Sequence, residues 1–311
     1  MKRVRLFVVV YLLLLLLPLS ALAEYTAYVC NPNPADRLHL RAQPNAGSLS
    51  LGKYYNGTAV TVLSSNENGW LEVLVGDSNK ALHGYMKEEY LSANKPADAR
   101  PQYASVNSFH LYSSQSKTGK YKTFGPGELV SLLGFRDNCW HVMIHLENGK
   151  KATGFVFEDT CALVSLTSDK IKAYISIPDP ADRLHLRKGA TQYSESLGKY
   201  YNGTFCTLKG FSADGGWLKV NLYGRIGYMN RSFLTIEGKV NHTRYSIPEI
   251  RVKASDSVLY QHYPVYNCES TSLVQETRLA VLGLIGASWL HVQLDDGRTG
   301  YIQTHETTFS R

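Results

Sequence analysis

Residues 24 to 311 contain no long apolar stretch at helical spacing and no run of five or more charges of one sign. The first absence argues against a helical architecture, and the second argues against a nucleic-acid-binding stripe. No glycine-rich loop has the pattern of a phosphate cradle. The five cysteines are odd in number and irregularly spaced, which argues against a disulfide framework.

The long apolar run of the sequence lies at its N-terminus. Leu6 to Leu17 follows three basic residues, Pro18 breaks the run, and Ala21 to Ala23 has the small-residue pattern of a signal-peptidase site. A membrane-spanning helix needs about 20 apolar residues, so this run is too short to span comfortably. We therefore predict a signal peptide over residues 1–23, cleaved to give a secreted protein without a transmembrane anchor. An uncleaved N-terminal anchor is the alternative.

Removing the signal peptide lowers the net charge of the chain. The whole sequence has 33 basic and 26 acidic residues, a formal charge of +7, and three of the basic residues lie in the predicted signal. The mature chain would thus carry 30 basic and 26 acidic residues, a charge of +4. This mild excess is compatible with anionic surfaces such as cell walls and gives no indication of nucleic acid as a partner.

An internal repeat dominates the rest of the sequence. Residues 27 to 91 recur nearly letter for letter at 173 to 234, with PADRLHLR, SLGKYYNGT, a Gly-Trp pair and GYM in the same order. The offset of 146 residues is too long for a solenoid repeat and indicates a duplicated block of domains. Duplication favours binding, which gains from repetition, over a single catalytic cleft.

Two divergent segments complete a pattern of four domains. Residues 103–163 keep Trp140 and Gly154, and residues 248–309 keep Trp289 and Gly300, at the spacing of the near-identical copies. Polar linkers at 93–102 and 237–248 separate the domains. The predicted division is 1–23 signal peptide, 25–93 first module, 103–164 second, 172–237 third and 247–311 fourth. Modules of roughly 60 to 70 residues are near the lower limit for an independent core, so neighbours should support one another.

Within a module the periodicity is that of short strands. Apolar and polar residues alternate from Leu38 to Arg41, and Gly and Asn separate this segment from further alternating ones. Short strands with turn signals at this spacing predict a small barrel or sandwich. The inward-facing residues should be Leu38, Leu40, Val60, Val62, Leu71 and Val73, and the solvent-facing ones His39, Arg41, Thr61 and Glu72.

These motifs resemble a known family. The L-x-L-R segment, the Asn-Gly-Thr turn, Gly-Trp-x-x-V, and Gly-Tyr-Met with a closing Tyr90-Leu91 are similar to bacterial SH3 extracellular modules. The resemblance is strongest in modules one and three; modules two and four lack the Arg and the Asn-Gly-Thr turn. It implies an all-β protein of four tandem SH3-like barrels. It also implies recognition of peptidoglycan or its peptide stems, usually as an appendage to a wall-cutting enzyme.

No catalytic or metal-binding constellation accompanies these modules. Cys139 and His141 would lie on one strand and point the same way, which gives no triad geometry. On a strand, His141 and His145 would stand about 13 Å apart, too far to share a zinc ion. We therefore expect neither an enzyme nor a cofactor. A hydrolase hidden among the histidines and carboxylates is the remaining alternative.

The cysteines have individual interpretations. By alignment of the repeats, Cys206 replaces Val60 and Cys161 takes the place of a core leucine, so both should be small core residues. A disulfide between Cys139 and Cys161 stays open, because both lie in one module. Cys30 follows bulky residues well beyond the apolar run, which argues against a lipoprotein.

Aromatic residues provide the candidate ligand contacts. Of the adjacent tyrosines in each near-identical module, one should pack inward and the other face outward. Exposed aromatic faces suit sugar rings and peptide stems, and core packing is the alternative explanation for all of them. The candidate ligand-binding residues are Arg41, Tyr54, Tyr55, Trp70, Tyr85, Arg187, Tyr200, Tyr201, Trp217 and Tyr228.

Two further features recur in both copies. His39 and His185 are expected to be exposed, where they would either make binding sensitive to pH or be ordinary surface residues. The pairs Asn56-Gly57 and Asn202-Gly203 supply the positive φ of a tight turn, and both fit the N-x-[ST] glycosylation pattern.

The sequence as a whole indicates a secreted, non-catalytic binding protein. Its expected partner is peptidoglycan or another envelope polymer, engaged through repeated weak sites that gain by avidity. The alternative is an extracellular scaffold whose modules bind other proteins.

Overall fold

The computed structural model of the protein describes residues 24–65, 68–76, 81–237 and 247–310. The predicted signal peptide lies outside the described residues. Across the described part, no helix is long and apolar enough to cross a membrane. The prediction of an all-β protein is confirmed: the strands form antiparallel sheets, and the helical structure in the described ranges consists of four short 3-10 turns. These turns are Glu88–Tyr90, Leu166–Ser168, Arg231–Phe233 and Thr304–Glu306.

The chain divides into two compact units, residues 1–99 and residues 100–311. The strands of the first unit are β1 (Tyr25–Val29), β2 (Leu38–Arg41), β3 (Ser50–Tyr54), β4 (Ala59–Ser65), β5 (Trp70–Val75), β6 (Leu82–Lys87) and β7 (Leu91–Ser92).

The second unit contains three successive groups of strands. The first group is β8 (Gln102–Ser105), β9 (Phe109–Tyr112), β10 (Tyr121–Phe124), β11 (Leu129–Arg136), β12 (Cys139–His145), β13 (Lys151–Phe157) and β14 (Leu163–Ser165). The second group is β15 (Lys172–Ile175), β16 (Leu184–Arg187), β17 (Ser196–Tyr200), β18 (Phe205–Phe211), β19 (Trp217–Leu222), β20 (Arg225–Asn230) and β21 (Leu234–Ile236). The third group is β22 (Glu249–Arg251), β23 (Val258–Tyr260), β24 (Ser270–Ser272), β25 (Arg278–Ile285), β26 (Trp289–Leu294) and β27 (Thr299–Gln303).

One pairing scheme describes all four groups, which we call repeats one to four. In repeat one, β4, β5 and β6 form a meander, β1 pairs with β4, and the β2–β3 hairpin joins the meander through β6. The strand β7 returns to pair with β1. Repeats two and three repeat this scheme, and in repeat four an isolated bridge between Val252 and Thr307 takes the place of the last strand.

Two local devices recur at equivalent positions. The first long strand of each meander carries a register shift, between Val62 and Ser64 in repeat one and between Leu208 and Gly210 in repeat three. The third strand of each meander contains a glycine, at 84, 154, 227 or 300. A Cβ on any of these would lie 2.6 to 2.7 Å from the carbonyl oxygen of the crossing hairpin strand. The glycine is therefore required for the hairpin to close onto the meander.

The predicted inward-facing residues of repeat one are all buried, from Leu38 to Val73, so the alternation predicted from sequence is confirmed there. Cys161 and Cys206 are also buried, as small core residues should be. Cys139 and Cys161 do not form a disulfide, and none of the five cysteines is part of a disulfide. Burial raises the pKa of both the Cys161 and the Cys206 thiol to about 12.

Strand pairing continues from repeat three into repeat four. Lys199 and Tyr200 of β17 lie opposite Leu284 and Gly283 of β25, so one sheet runs through both repeats. A hydrophobic cluster accompanies this sheet and includes Tyr200 from one repeat and Leu282 from the other. This continuity places the surface of repeat three next to that of repeat four.

Candidate functional site

A row of basic side chains follows the outer face of β16. Alternation along this strand turns Leu184 and Leu186 into the core, and it leaves Arg183, His185 and Arg187 partly exposed on the opposite face. The three side chains therefore line one surface because of the strand period alone.

Trp217 closes one end of this row. It begins β19, lies opposite Asn230 of β20, and is half-buried. A pocket of about 220 Å³ lies between the basic row and these two residues, with Phe233 in its wall. A flat aromatic face, an amide and two guanidinium groups thus meet in one concave surface.

Both arginines of the row are held in place. The guanidinium of Arg183 lies over the ring of Tyr201, with 5.4 Å from Cζ to the ring centroid, and its Nη1 donates to the Tyr201 hydroxyl at 3.3 Å. Arg187 donates from Nη1 to the carbonyl oxygen of Ser194 at 2.7 Å, and it lies opposite Tyr228 across the sheet. Their positive charges are therefore fixed toward the pocket.

His185 is less exposed than the sequence predicted. It is half-buried, because its ring is held against the hairpin by a contact of 2.7 Å between Nδ1 and the Ser196 hydroxyl. Burial, followed by the nearby charges of Arg187 and Lys199, lowers the pKa of the imidazole below 6.5. The ring is consequently neutral near pH 7.

Repeat one contains the same arrangement. The Arg37 guanidinium lies 5.4 Å from the centroid of the Tyr55 ring, and Arg41 donates to the carbonyl oxygen of Ser48 at 2.7 Å. His39 contacts the Ser50 hydroxyl at 2.9 Å, and burial is again the first cause of its lowered pKa. The set of contacts is therefore a property of the repeated sequence.

The aromatic candidates separate into two groups. Tyr54 and Tyr200 are 1% and 0% exposed, so they occupy the inward position and belong to the core, where a ligand cannot reach them. Tyr55 and Tyr201 take the outer position under the arginines. Tyr85 and Tyr228 are half-buried on the outer face.

The two tryptophans are not equivalent. Trp70 is only 7% exposed, and the Lys87 ammonium lies 5.7 Å from its ring centroid, where repeat three has Asn230. Trp217 retains more exposed surface. The surface with an accessible aromatic face is thus better developed in repeat three than in repeat one.

The Asn-Gly turns are structural. Gly57 and Gly203 adopt φ of 84° and 83°, as the turn was predicted to require. Asn202 is 3% exposed: its Nδ2 donates to the carbonyl oxygen of Ile177 at 2.9 Å, and its Oδ1 accepts from the Ile177 amide at 2.6 Å. Asn56 makes the same two bonds with Asn31. Because both side chains are buried and hydrogen-bonded to the backbone, neither amide is accessible to a glycosylating enzyme in the folded protein.

The fragment around Cys139 has no reactive geometry. Burial raises the pKa of the Cys139 thiol to about 11, which disfavours the thiolate that a nucleophile needs. His141 and His145 are 2% and 1% exposed and pack against Phe155 and Phe211. Among the described residues, no group of three or more His, Cys, Asp or Glu side chains is placed to hold a metal ion.

Sequence reasoning omitted some residues that the fold brings to the site. Arg183 and Lys199 were not among the candidates, although each has an identical counterpart in the first copy, Arg37 and Lys53, within the repeated PADRLHLR and SLGKYY segments. The signal that could have found them is that modules one and three have identical residues at these exposed polar positions. Nothing in the sequence indicated that Leu284 and Gly286 of repeat four lie beside this surface, because strand pairing between repeats leaves no local sequence pattern.

Comparison with known proteins does not assign a family. No family model and no curated protein matches the chain. Among solved structures, the chain is similar to NlpC2 from Trichomonas vaginalis (9% identity, TM-score 0.27, covering 68% of this chain and 95% of that one). It is also similar to NlpC1 from the same organism (11%, 0.23, 92% and 90%) and to an NlpC/P60 family protein from Bacillus cereus (13%, 0.19, 90% and 94%). TM-scores this low do not assign the chain to a fold family.

Proposed function

We propose that the protein is a secreted, non-catalytic binding protein with four SH3-like modules that attach it to cell-envelope material. The recurrence of one strand-pairing scheme in four repeats supports the modular part of this proposal. The cell-wall or envelope polymer, such as peptidoglycan or its peptide stems, is the partner that the sequence resemblance favours.

One observation carries the binding role. Repeats one and three hold two arginines and a histidine in the same outward row, with the same stacking and hydrogen-bonding partners. Core packing does not explain why partly exposed cations should be fixed in this way at two places. A surface that binds the same chemical group twice does explain it, because two weak sites on one polymer bind with avidity.

The proposal predicts that the intact protein sediments with insoluble peptidoglycan. A basic protein of similar isoelectric point serves as the control for non-specific adsorption, and added soluble wall fragments should release the bound protein. Failure to sediment above the control would refute the proposal. Loss of turbidity of the wall suspension in the same experiment would instead identify a hydrolase.

A further inference from the structure

A second pocket adjoins the first on repeat three. It measures about 360 Å³ and lies where repeats three and four meet, lined by Arg183, His185, Ser196, Lys199, Leu284 and Gly286. Arg183 and His185 also line the first pocket. The two pockets are therefore adjacent, and we call them together the β16 groove, whose lining extends from Trp217 to Gly286 of repeat four.

The walls of the β16 groove are fixed relative to each other. Lys199 lies opposite Leu284 in the β17–β25 ladder. The Tyr201 amide and the Thr204 hydroxyl both donate to the carbonyl oxygen of Leu282, at 3.0 and 3.1 Å. A ligand would therefore meet a preformed surface and would not have to order it.

The protein offsets only part of the positive charge of this groove, through Asp182. No described carboxylate forms an ion pair with Arg183, Arg187 or Lys199. Two other cations of repeat three are paired: Lys188 lies 3.6 Å from Glu195, and Lys209 contacts Asp169. Asp182 lines the first pocket and adds one negative charge there, and its Oδ1 accepts from the backbone amide of Arg183 at 2.7 Å. The three cations Arg183, Arg187 and Lys199 therefore outnumber the one carboxylate of the lining.

Both ends of the groove indicate the kind of ligand. At one end, Trp217 offers an aromatic face beside the amide of Asn230, a combination suited to the faces and hydroxyl groups of a sugar ring. Toward the other end, Lys199 and the shared Arg183 offer donors for an anionic oxygen. An acidic peptide would satisfy the cations but would leave the aromatic end without a matching partner.

We propose that the β16 groove binds an acidic glycan, a chain of sugars that carry carboxylate or phosphate groups. One sugar would lie against Trp217, and an anionic group further along the chain would be bound by Arg183 and Lys199 across the junction of repeats three and four. This inference rests on the proposed function and narrows its ligand to the anionic glycans of the envelope.

Calorimetric titration of the intact protein with four defined probes tests this inference. The probes are oligogalacturonate, a sugar-1-phosphate polymer, an uncharged N-acetylglucosamine oligomer of the same length, and oligoglutamate. One or both of the acidic glycans should bind, and whichever binds identifies the anionic group. The uncharged glycan and the acidic peptide should each bind at least about ten-fold more weakly. The first lacks the anionic group for Arg183 and Lys199, and the second lacks the sugar ring for Trp217.

Charge-removing variants locate the site. Lys199→Gln should weaken acidic-glycan binding about three-fold, and Arg183→Gln with Lys199→Gln about ten-fold, since exposed ion contacts are individually weak. Lys188→Gln removes the same charge from the same repeat outside the groove and should leave binding unchanged. Thermal unfolding of each variant separates lost contacts from lost folding. Raising salt from about 0.05 to about 0.5 M should weaken binding, because it screens exposed charges.

Three results would overturn the inference: equal binding of the uncharged glycan, equal binding of oligoglutamate, or a Lys188→Gln variant as weak as Lys199→Gln. Sedimentation with peptidoglycan distinguishes this failure from failure of the proposed function. If the protein sediments with walls while the charge variants bind unchanged, the groove assignment alone is wrong. If an acidic glycan binds in solution but walls do not retain the protein, envelope attachment alone is wrong.

Discussion

The burial of His291 predicts that the second unit loses stability in mild acid. This side chain is 0% exposed, stacks on the Tyr301 ring with centroids 4.5 Å apart, and contacts the Tyr200 hydroxyl through Nδ1 at 3.4 Å. Burial, with a smaller effect of the Arg225 charge, lowers the pKa of the imidazole to about 3. The unfolded chain would have the ordinary value of about 6.5.

The sign and size of the effect follow from this difference. Below about pH 6.5 the unfolded state binds a proton that the folded state does not bind until about pH 3, so folding becomes less favourable as the pH falls through this window. Between about pH 7.5 and about pH 5, this one group should reduce the free energy of unfolding by about 2 kcal/mol. At about pH 5 the folded ring is still neutral, so the figure depends on the unfolded pKa.

Urea unfolding of wild type and His291→Phe, followed by tryptophan fluorescence at both pH values, measures this contribution. Phenylalanine keeps the aromatic packing and removes the titrating group, so the variant should lose about 2 kcal/mol less than wild type on acidification. His262→Phe, a substitution of an exposed imidazole in the same repeat, should retain the wild-type dependence. An equal loss in wild type and His291→Phe would refute the reasoning.

Two further predictions concern the repeated scaffold. Gly227→Ala should destabilise the second unit by about 1–3 kcal/mol, because the new Cβ would lie 2.7 Å from the Arg187 carbonyl oxygen; Gly216→Ala, where the nearest atom is 3.4 Å away, should cost less. Thermal unfolding of the pair tests this, and equal costs would contradict it. Asn202→Ala should cost about 1–3 kcal/mol, because the amide and carbonyl of Ile177 lose buried partners. Asn202→Asp should cost at least as much by the same measurement, because it buries a carboxylate with one oxygen against the Ile177 carbonyl oxygen. An unchanged stability of Asn202→Ala would contradict this reasoning.

The sequence predicted the local structure well because strand alternation is a short-range property. The period of two placed Leu38 and Leu40 in the core and Arg41 outside, and the inward turn of one tyrosine in each pair followed from the same rule. The degree of burial was less predictable. His39 and His185 were expected in solvent, and contacts with serines of the adjacent hairpin strand half-bury them.

The sequence by itself determined an all-β chain of repeated strands. Strand alternation and turn residues are short-range properties of the sequence, and the duplication is visible by comparing the two copies directly. The tertiary structure alone decided which cations lie together. Arg183 directly precedes β16, Lys199 lies in β17, and Leu284 joins them from β25, some 85 residues further along the chain than Lys199. Pairing of β17 with β25 brings these residues into one groove, and such pairing depends on backbone hydrogen bonds that every residue type except proline can make.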